Sequence, residues 1–148
     1  MRAVVQRVAR AEVRAGGEAR SIGPGLLVLL AVVAGDTEAD LAWVADKVAG
    51  LRIFENEAGK MDRSVGQVGG AVMVVSQFTL AASLAKGRRP DFTGAERPEL
   101  AAPMVDRFAE RLRRAGLPVV QGFFGAHMAV ELVNDGPVTL WLDSRSRK

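Results

Sequence analysis

The sequence predicts an α+β fold, a mixed or antiparallel β-sheet curled into a barrel-like core with two main helices. Three observations lead there. Short runs rich in Val, Ile and Leu, bounded by Gly, Pro and Asn, recur along the chain and outnumber segments of helical period. Two segments, one after Thr37 and one around Phe108, repeat apolar residues at i, i+3, i+4 and i+7. With 148 residues, 49% hydrophobic and 25% charged, the chain suits a single domain over 1–148, because a domain near this size buries about 68–70% of its unfolded surface.

Taken in order, residues 2–13 interleave apolar β-branched side chains with Gln6, Arg7, Arg10 and Glu12, which suits one or two half-exposed strands. Gly16-Gly17 supplies a hairpin turn. A Gly-Pro-Gly break at 23–25 precedes the run 26–33, whose length and bounded ends suit a strand buried on both faces, although periodicity alone does not separate it from a buried helix. Thr37 and Asp40 approximate a capping box for a helix whose apolar face is Leu41, Val44, Ala45 and Val48, and Gly50 is placed to end it. Residues 51–54 read as a short strand, 56–59 as a turn, and 71–75 as a central strand running into Ser76-Gln77-Phe78-Thr79. After a polar loop at 83–97, Met104, Val105, Phe108 and Leu112 form one helical face, with Pro103 marking or kinking its first turns. Residues 119–124, 127–133 and 138–142 read as strands, with Asn134 to Pro137 as the turn between the last two, and 144–148 as a flexible charged tail.

Composition excludes several chemistries. Cysteine is absent, so there is no disulfide framework, thiolate nucleophile or Cys-based metal site, and a lone histidine leaves little for a His-rich metal centre. No metal and no cofactor is expected. Residues 1–13 resemble neither a secretory signal nor a transit peptide, and the apolar run 26–34 falls far short of the ~18–20 residues that cross a bilayer. The expectation is a soluble cytoplasmic protein without a membrane partner. A net charge of +3, carried mostly by Arg, permits an RNA partner without demanding one.

Four places could hold chemistry. Ser76, Gln77 and Thr79 put three hydrogen-bonding side chains around Phe78 where an apolar strand ends, a position that fixes groups while exposing them. The plainer alternative is turn-capping hydroxyls with Phe78 in the core. Asn134-Asp135-Gly136-Pro137-Val138-Thr139 reads first as a hairpin turn, and ordinary X-Pro frequencies favour a trans bond; a cis bond would turn two carbonyls to one side, where a substrate ammonium could be held. His127 with Ser76 or Thr79 and Asp135 could form a hydrolytic triad, but no nucleophile-elbow sequence surrounds Ser76. Lys86, Arg88 and Arg89, next to Phe92, could meet phosphate and stack on a base, or form a solvated loop.

Together the motifs at 76–80 and 134–139 resemble the two signature motifs of the bacterial and eukaryotic D-aminoacyl-tRNA deacylases. The likeness extends through Val5-Gln6-Arg7-Val8, Gly25-Leu26-Leu27-Val28, Arg52-Ile53-Phe54, Gly59-Lys60-Met61 and Arg89-Pro90-Asp91-Phe92 in the same order, nearly end to end. It implies a homodimer that hydrolyses the ester between a D-amino acid and the 3′-terminal adenosine of tRNA, with tRNA as partner. It further implies that Gly136-Pro137 is cis and enters the partner subunit's site, supported by Asn134 and Thr139, rejecting L-amino acids while admitting glycyl-tRNA. By the same resemblance Ser76, Gln77, Phe78 and Thr79 are the catalytic group, with the N–H groups of Phe78 and Thr79 at the oxyanion and Thr79 as a positioning residue rather than a nucleophile. Lys86, Arg88 and Arg89 are then candidate tRNA contacts. A general esterase using His127 and a non-catalytic RNA-binding module are the competing expectations.

Overall fold

A computed structural model describes residues 1–147. The first strand, β1 (Arg2–Ala15), is long enough to serve two partners along one edge and a third along the other. Its second half pairs antiparallel with β2 (Glu18–Ile22) through the Gly16-Gly17 turn, where φ values of 57° and 82° suit glycine. Its first half pairs antiparallel with β3 (Gly25–Ala31), which pairs in parallel with β6 (Ala71–Ser76), and β6 in parallel with β7 (Val119–Gln121). Between β3 and β6 lie α1 (Glu38–Gly50) and a small hairpin of β4 (Phe54–Glu55) and β5 (Met61–Arg63). A second helix, α2 (Pro98–Arg114), precedes β7, and β8 (Ala129–Asp143) pairs with the free edge of β1 from end to end.

Because β3 and β6 are covered on both faces, their side chains alternate between two cores. Leu26, Val28, Leu30, Val72 and Val74 face the helices and meet Leu41, Val44, Val48, Phe108 and Leu112. Leu27, Met73 and Val75 face the inside of the curl and meet Val8, Ala11, Val13 and Ile22. Arg20 of β2 draws the curl toward closure: its Nη1 donates to the carbonyls of Gln121 and Gly122 at 3.0 Å each, and its guanidinium lies 3.9 Å from the Phe123 ring centre. Gly25 packs so tightly that a Cβ there would lie 1.9 Å from the Ala71 carbonyl oxygen.

Both helices start as their sequences dictate. The Asp40 carboxylate accepts from the N–H of Thr37 at 2.9 Å and from its hydroxyl at 2.8 Å, which closes the start of α1. These bonds, the backbone one foremost, hold the Asp40 carboxyl well below the usual carboxylate range against the opposing effect of burial. In α2, Pro98 occupies the first turn and Pro103 lies inside the helix, so the helix begins ahead of Pro103.

Three expectations need correction. Residues 134–137 are not a turn between two strands; β8 runs through them, because β1 offers a continuous ladder whose register shifts between Gln6 and Val8 and between Val8 and Arg10 absorb the irregular residues. The short strand expected at 51–54 lies at Phe54–Glu55. Residues 144–147 are packed rather than a loose tail: Ser144 is buried, Arg145 Nη2 donates to the Ala34 carbonyl at 2.6 Å, and Arg147 Nη1 donates to the Ala39 carbonyl at 3.2 Å. Lys148 lies outside the described residues. Among the described residues, no helix is long and apolar enough to cross a membrane.

Candidate active site

The parallel pairing of β3 with β6 ends at Leu30 and Ser76, and the chain then leaves the sheet. The N–H of Gln77 donates to the Leu30 carbonyl at 2.7 Å, and Phe78–Ala81 close a single 3-10 turn. Being first in that turn, the N–H groups of Phe78 and Thr79 have no intrahelical acceptor, and among the described residues no other protein group accepts from them. Gln77 Nε2 donates to the Thr79 hydroxyl at 2.5 Å, which fixes the two side chains relative to each other. Arg2 Nη1 donates to the Leu80 carbonyl at 2.9 Å and ties the turn to β1.

Phe78 is 53% exposed, so it is not the core residue of the plainer expectation. Its ring meets that of Phe92 edge-on at 5.2 Å. Both line a cavity of about 590 Å³ together with Ser76, Gln77, Phe124 and Met128. Its size and mostly apolar wall suit a small planar molecule with a few fixed polar contacts. Glu96 and Arg97 add the charged part of the wall. The Glu96 carboxylate accepts from the N–H of Arg97 at 2.9 Å and of Gly35 at 3.4 Å, and these bonds hold its carboxyl below the usual range.

Gly136 and Pro137 lie outside this cavity in the same chain. Their peptide bond is cis, as the family resemblance implied and against the trans expectation from frequencies alone. Around them Asn134 Oδ1 accepts from the N–H of Val138 at 3.2 Å and Asn134 Nδ2 donates to the Thr139 hydroxyl at 2.9 Å, which also accepts from Gln6 Nε2 at 3.3 Å. Beneath them lies Arg7, only 6% exposed. Its Nε donates to the Asp135 carbonyl at 3.1 Å and its Nη1 to the Ile53 carbonyl at 2.6 Å. Arg7 thus braces the segment that carries Gly136.

His127 lines the cavity, but among the described residues it forms no hydrogen bond with Ser76, Thr79 or a carboxylate, so no triad is assembled. Lys86, Arg88 and Arg89 project on an exposed loop closed by Ser83 and Asp91, which exchange backbone hydrogen bonds at 2.7 and 3.0 Å. Among the described residues these three have no ion-pair partner, and Phe92 joins the loop to the cavity wall. No group of three or more His, Asp or Glu side chains suited to a metal occurs among the described residues. Sequence reasoning missed the wall formed by Phe124, Glu96 and Arg97 and the bracing role of Arg7. Only the unusual Arg inside an apolar alternation hinted at the latter.

The family model described as D-Tyr-tRNA(Tyr) deacylase matches residues 4–143. A D-aminoacyl-tRNA deacylase of Thermomicrobium roseum is 59% identical over 145 residues, spanning 97% of this chain and 94% of that protein. Among solved structures, one described as c-Myc DNA Unwinding Element Binding Protein superposes with a TM-score of 0.90 at 43% identity, covering 97% of this chain and 98% of its own. A second, described as a probable eukaryotic D-amino acid tRNA deacylase, shares the fold at a TM-score of 0.83 and 19% identity, covering 95% of this chain and 97% of its own. With a match over nearly its whole length, the chain belongs to the D-aminoacyl-tRNA deacylase family of ester hydrolases.

Proposed function

We propose that this protein hydrolyses the ester between a D-amino acid and the 3′-terminal adenosine of tRNA, releasing both. The observation that carries this reading is the placement of Ser76, Gln77 and Phe78 on the wall of an aromatic cavity of about 590 Å³, beside two unused backbone N–H donors. Water adds to the ester carbonyl, and the N–H groups of Phe78 and Thr79 stabilise the oxyanion, one good donor contributing about 3 kcal/mol. The carbon–oxygen bond to the ribose then breaks, and the proton from water ends on the leaving ribose oxygen. The neighbouring 2′-hydroxyl of the substrate positions the water, so no titrating side chain is required. Gln77 and Thr79 hold the turn in place.

Chirality is read by a wall. The enantiomers carry the same groups, so attraction alone does not separate them, and steric exclusion where an L side chain projects does. Gly136 and Pro137 of a second copy form that wall, and their carbonyls hold the substrate ammonium. The homodimer is supported by β8, whose second edge is unpaired among the described residues and which exposes Val130, Val133 and Trp141. Glycine has no side chain to exclude, so glycyl-tRNA is also a substrate.

The test is hydrolysis of matched D- and L-tyrosyl-tRNA, with glycyl-tRNA alongside and chelator present. Loss of the D and glycyl esters with the L ester intact is expected. Equal cleavage of both enantiomers discards the wall, and binding of tRNA without cleavage of any ester supports an RNA-binding module instead.

A further inference from the structure

We infer that Arg97 binds the phosphodiester joining the terminal nucleoside of the substrate to the nucleotide before it. This assignment rests on the deacylase reading above and extends its substrate contacts by one nucleotide linkage. A nucleoside seated in the cavity is followed, on its 5′ oxygen, by a phosphate that must leave the apolar wall. A phosphate charge beside Phe78, Phe92 and Phe124 needs a cationic partner. Arg97 is the one Arg or Lys that lines the cavity among the described residues.

Its position is fixed by backbone contacts. The N–H of Glu96 donates to the Val32 carbonyl at 3.0 Å, the N–H of Ala34 to the Gly94 carbonyl at 2.9 Å, and Val33 bridges Ala95. Residues 94–96 are thereby fastened to the chain leaving β3, the strand whose Leu30 carbonyl also holds Gln77. Pro98 follows at once and starts α2, so the Arg97 backbone has little freedom.

The side chain makes no direct polar contact among the described residues, its charge acting at longer range to help hold the Glu96 carboxyl low. Arg107 and Arg111 further along α2 are paired with Glu38 and Asp46. The Arg97 guanidinium is exposed and, among the described residues, has neither an ion-pair partner nor a hydrogen bond. Next to it the ionised Glu96 carboxylate repels a phosphate from the wall, which confines the anion to the rim at Arg97. Guanidinium matches this task because its planar fork of donors fits phosphate oxygens. Lys86, Arg88 and Arg89, on the loop beyond Phe92, are left for later phosphates.

The experiment compares wild type, Arg97→Ala and Arg97→Lys on two esters of the same D-amino acid, D-tyrosyl-tRNA and D-tyrosyl-adenosine, the latter without phosphate. For Arg97→Ala, KM for the tRNA ester should rise about tenfold more than KM for the adenosine ester, with kcat for the tRNA ester preserved. The slope of log(kcat/KM) for the tRNA ester against log salt should flatten by about 0.7–1. Arg97→Lys should recover part of the loss. Equal effects on both esters, or no effect on the tRNA ester, overturn the assignment. Wild type that cleaves neither ester removes the deacylase reading and this assignment with it, an outcome distinct from an active wild type with an indifferent Arg97→Ala variant.

Discussion

Replacing Gly136 with alanine should destabilise the protein by about 2–6 kcal/mol and slow hydrolysis of D-aminoacyl esters roughly tenfold to a hundredfold. Two costs combine. The φ of Gly136 is +126°, a conformation that side-chain-bearing residues rarely adopt, and an added Cβ would lie 2.9 Å from Arg7 Nη2, 3.0 Å from Val138 Cγ2 and 3.2 Å from the Val138 nitrogen. Arg7 cannot swing aside freely, because its other guanidinium nitrogens hold the Ile53 and Asp135 carbonyls. Backbone strain of about 1–3 kcal/mol and overpacking of about 1–3 kcal/mol give the range. Against a whole-protein stability of about 5–15 kcal/mol this is a large share, so the folded fraction is measured before activities are compared. Gly17→Ala is the matched control, since its φ is +82° but nothing lies within 4 Å of the added Cβ, so it bears only the conformational cost, about 1–2 kcal/mol. Urea unfolding of both variants, with D-tyrosyl-tRNA hydrolysis of the folded proteins, separates strain from crowding. A Gly136→Ala protein no weaker than Gly17→Ala and fully active would refute the role given to this position.

Arg7→Met should cost about 2–4 kcal/mol in urea unfolding, because the Ile53 and Asp135 carbonyls lose a charged donor while the side-chain volume is largely kept; an unchanged midpoint would show that water replaces the guanidinium without loss. His127→Ala should keep kcat for D-tyrosyl-tRNA within about threefold, whereas loss of a general base costs about 10²–10⁴-fold, so a large drop would revive the esterase mechanism. Asp40 has a depressed carboxyl, so its stabilising effect is present above the unfolded value, near pH 4, and fades as pH falls below it. Asp40→Asn should therefore be about 1 kcal/mol less stable than wild type at pH 7, with the gap narrowing by pH 3 as measured by paired urea titrations; a constant gap would contradict the ionic basis of the cap.

Much of the fold was legible because local signals and tertiary demands agreed. The alternation in β1, the Gly16-Gly17 turn, the Thr37–Asp40 cap and the apolar face of α2 each follow from a short repeating pattern. The segment at 134–137 misled because Asn, Asp, Gly and Pro favour turns locally, whereas the neighbouring strand β1 supplies a ladder far away in sequence that carries them through. Ser76 to Thr79 were visible as polar residues at a strand end. Phe124, Glu96 and Arg97 were not, since only the parallel stacking of β3, β6 and β7 brings three distant stretches around one cavity.

The pairing of β1 with β8 also sets the order in which the molecule can assemble. Arg2 lies opposite Asp143 and Val8 opposite Asn134, so this ladder joins segments separated by almost the whole chain. The entropy of closing so long a loop must be overcome before the ladder contributes, and proteins dominated by such distant contacts fold in about milliseconds to seconds rather than microseconds. During synthesis β1, β2 and β3 can pair while β8 is still within the ribosome. A nascent chain can therefore form the Ser76 turn well before the strand bearing Gly136 is complete. On the proposed role of Gly136, competence for hydrolysis is a late event in the life of each chain, following the meeting of its beginning and end.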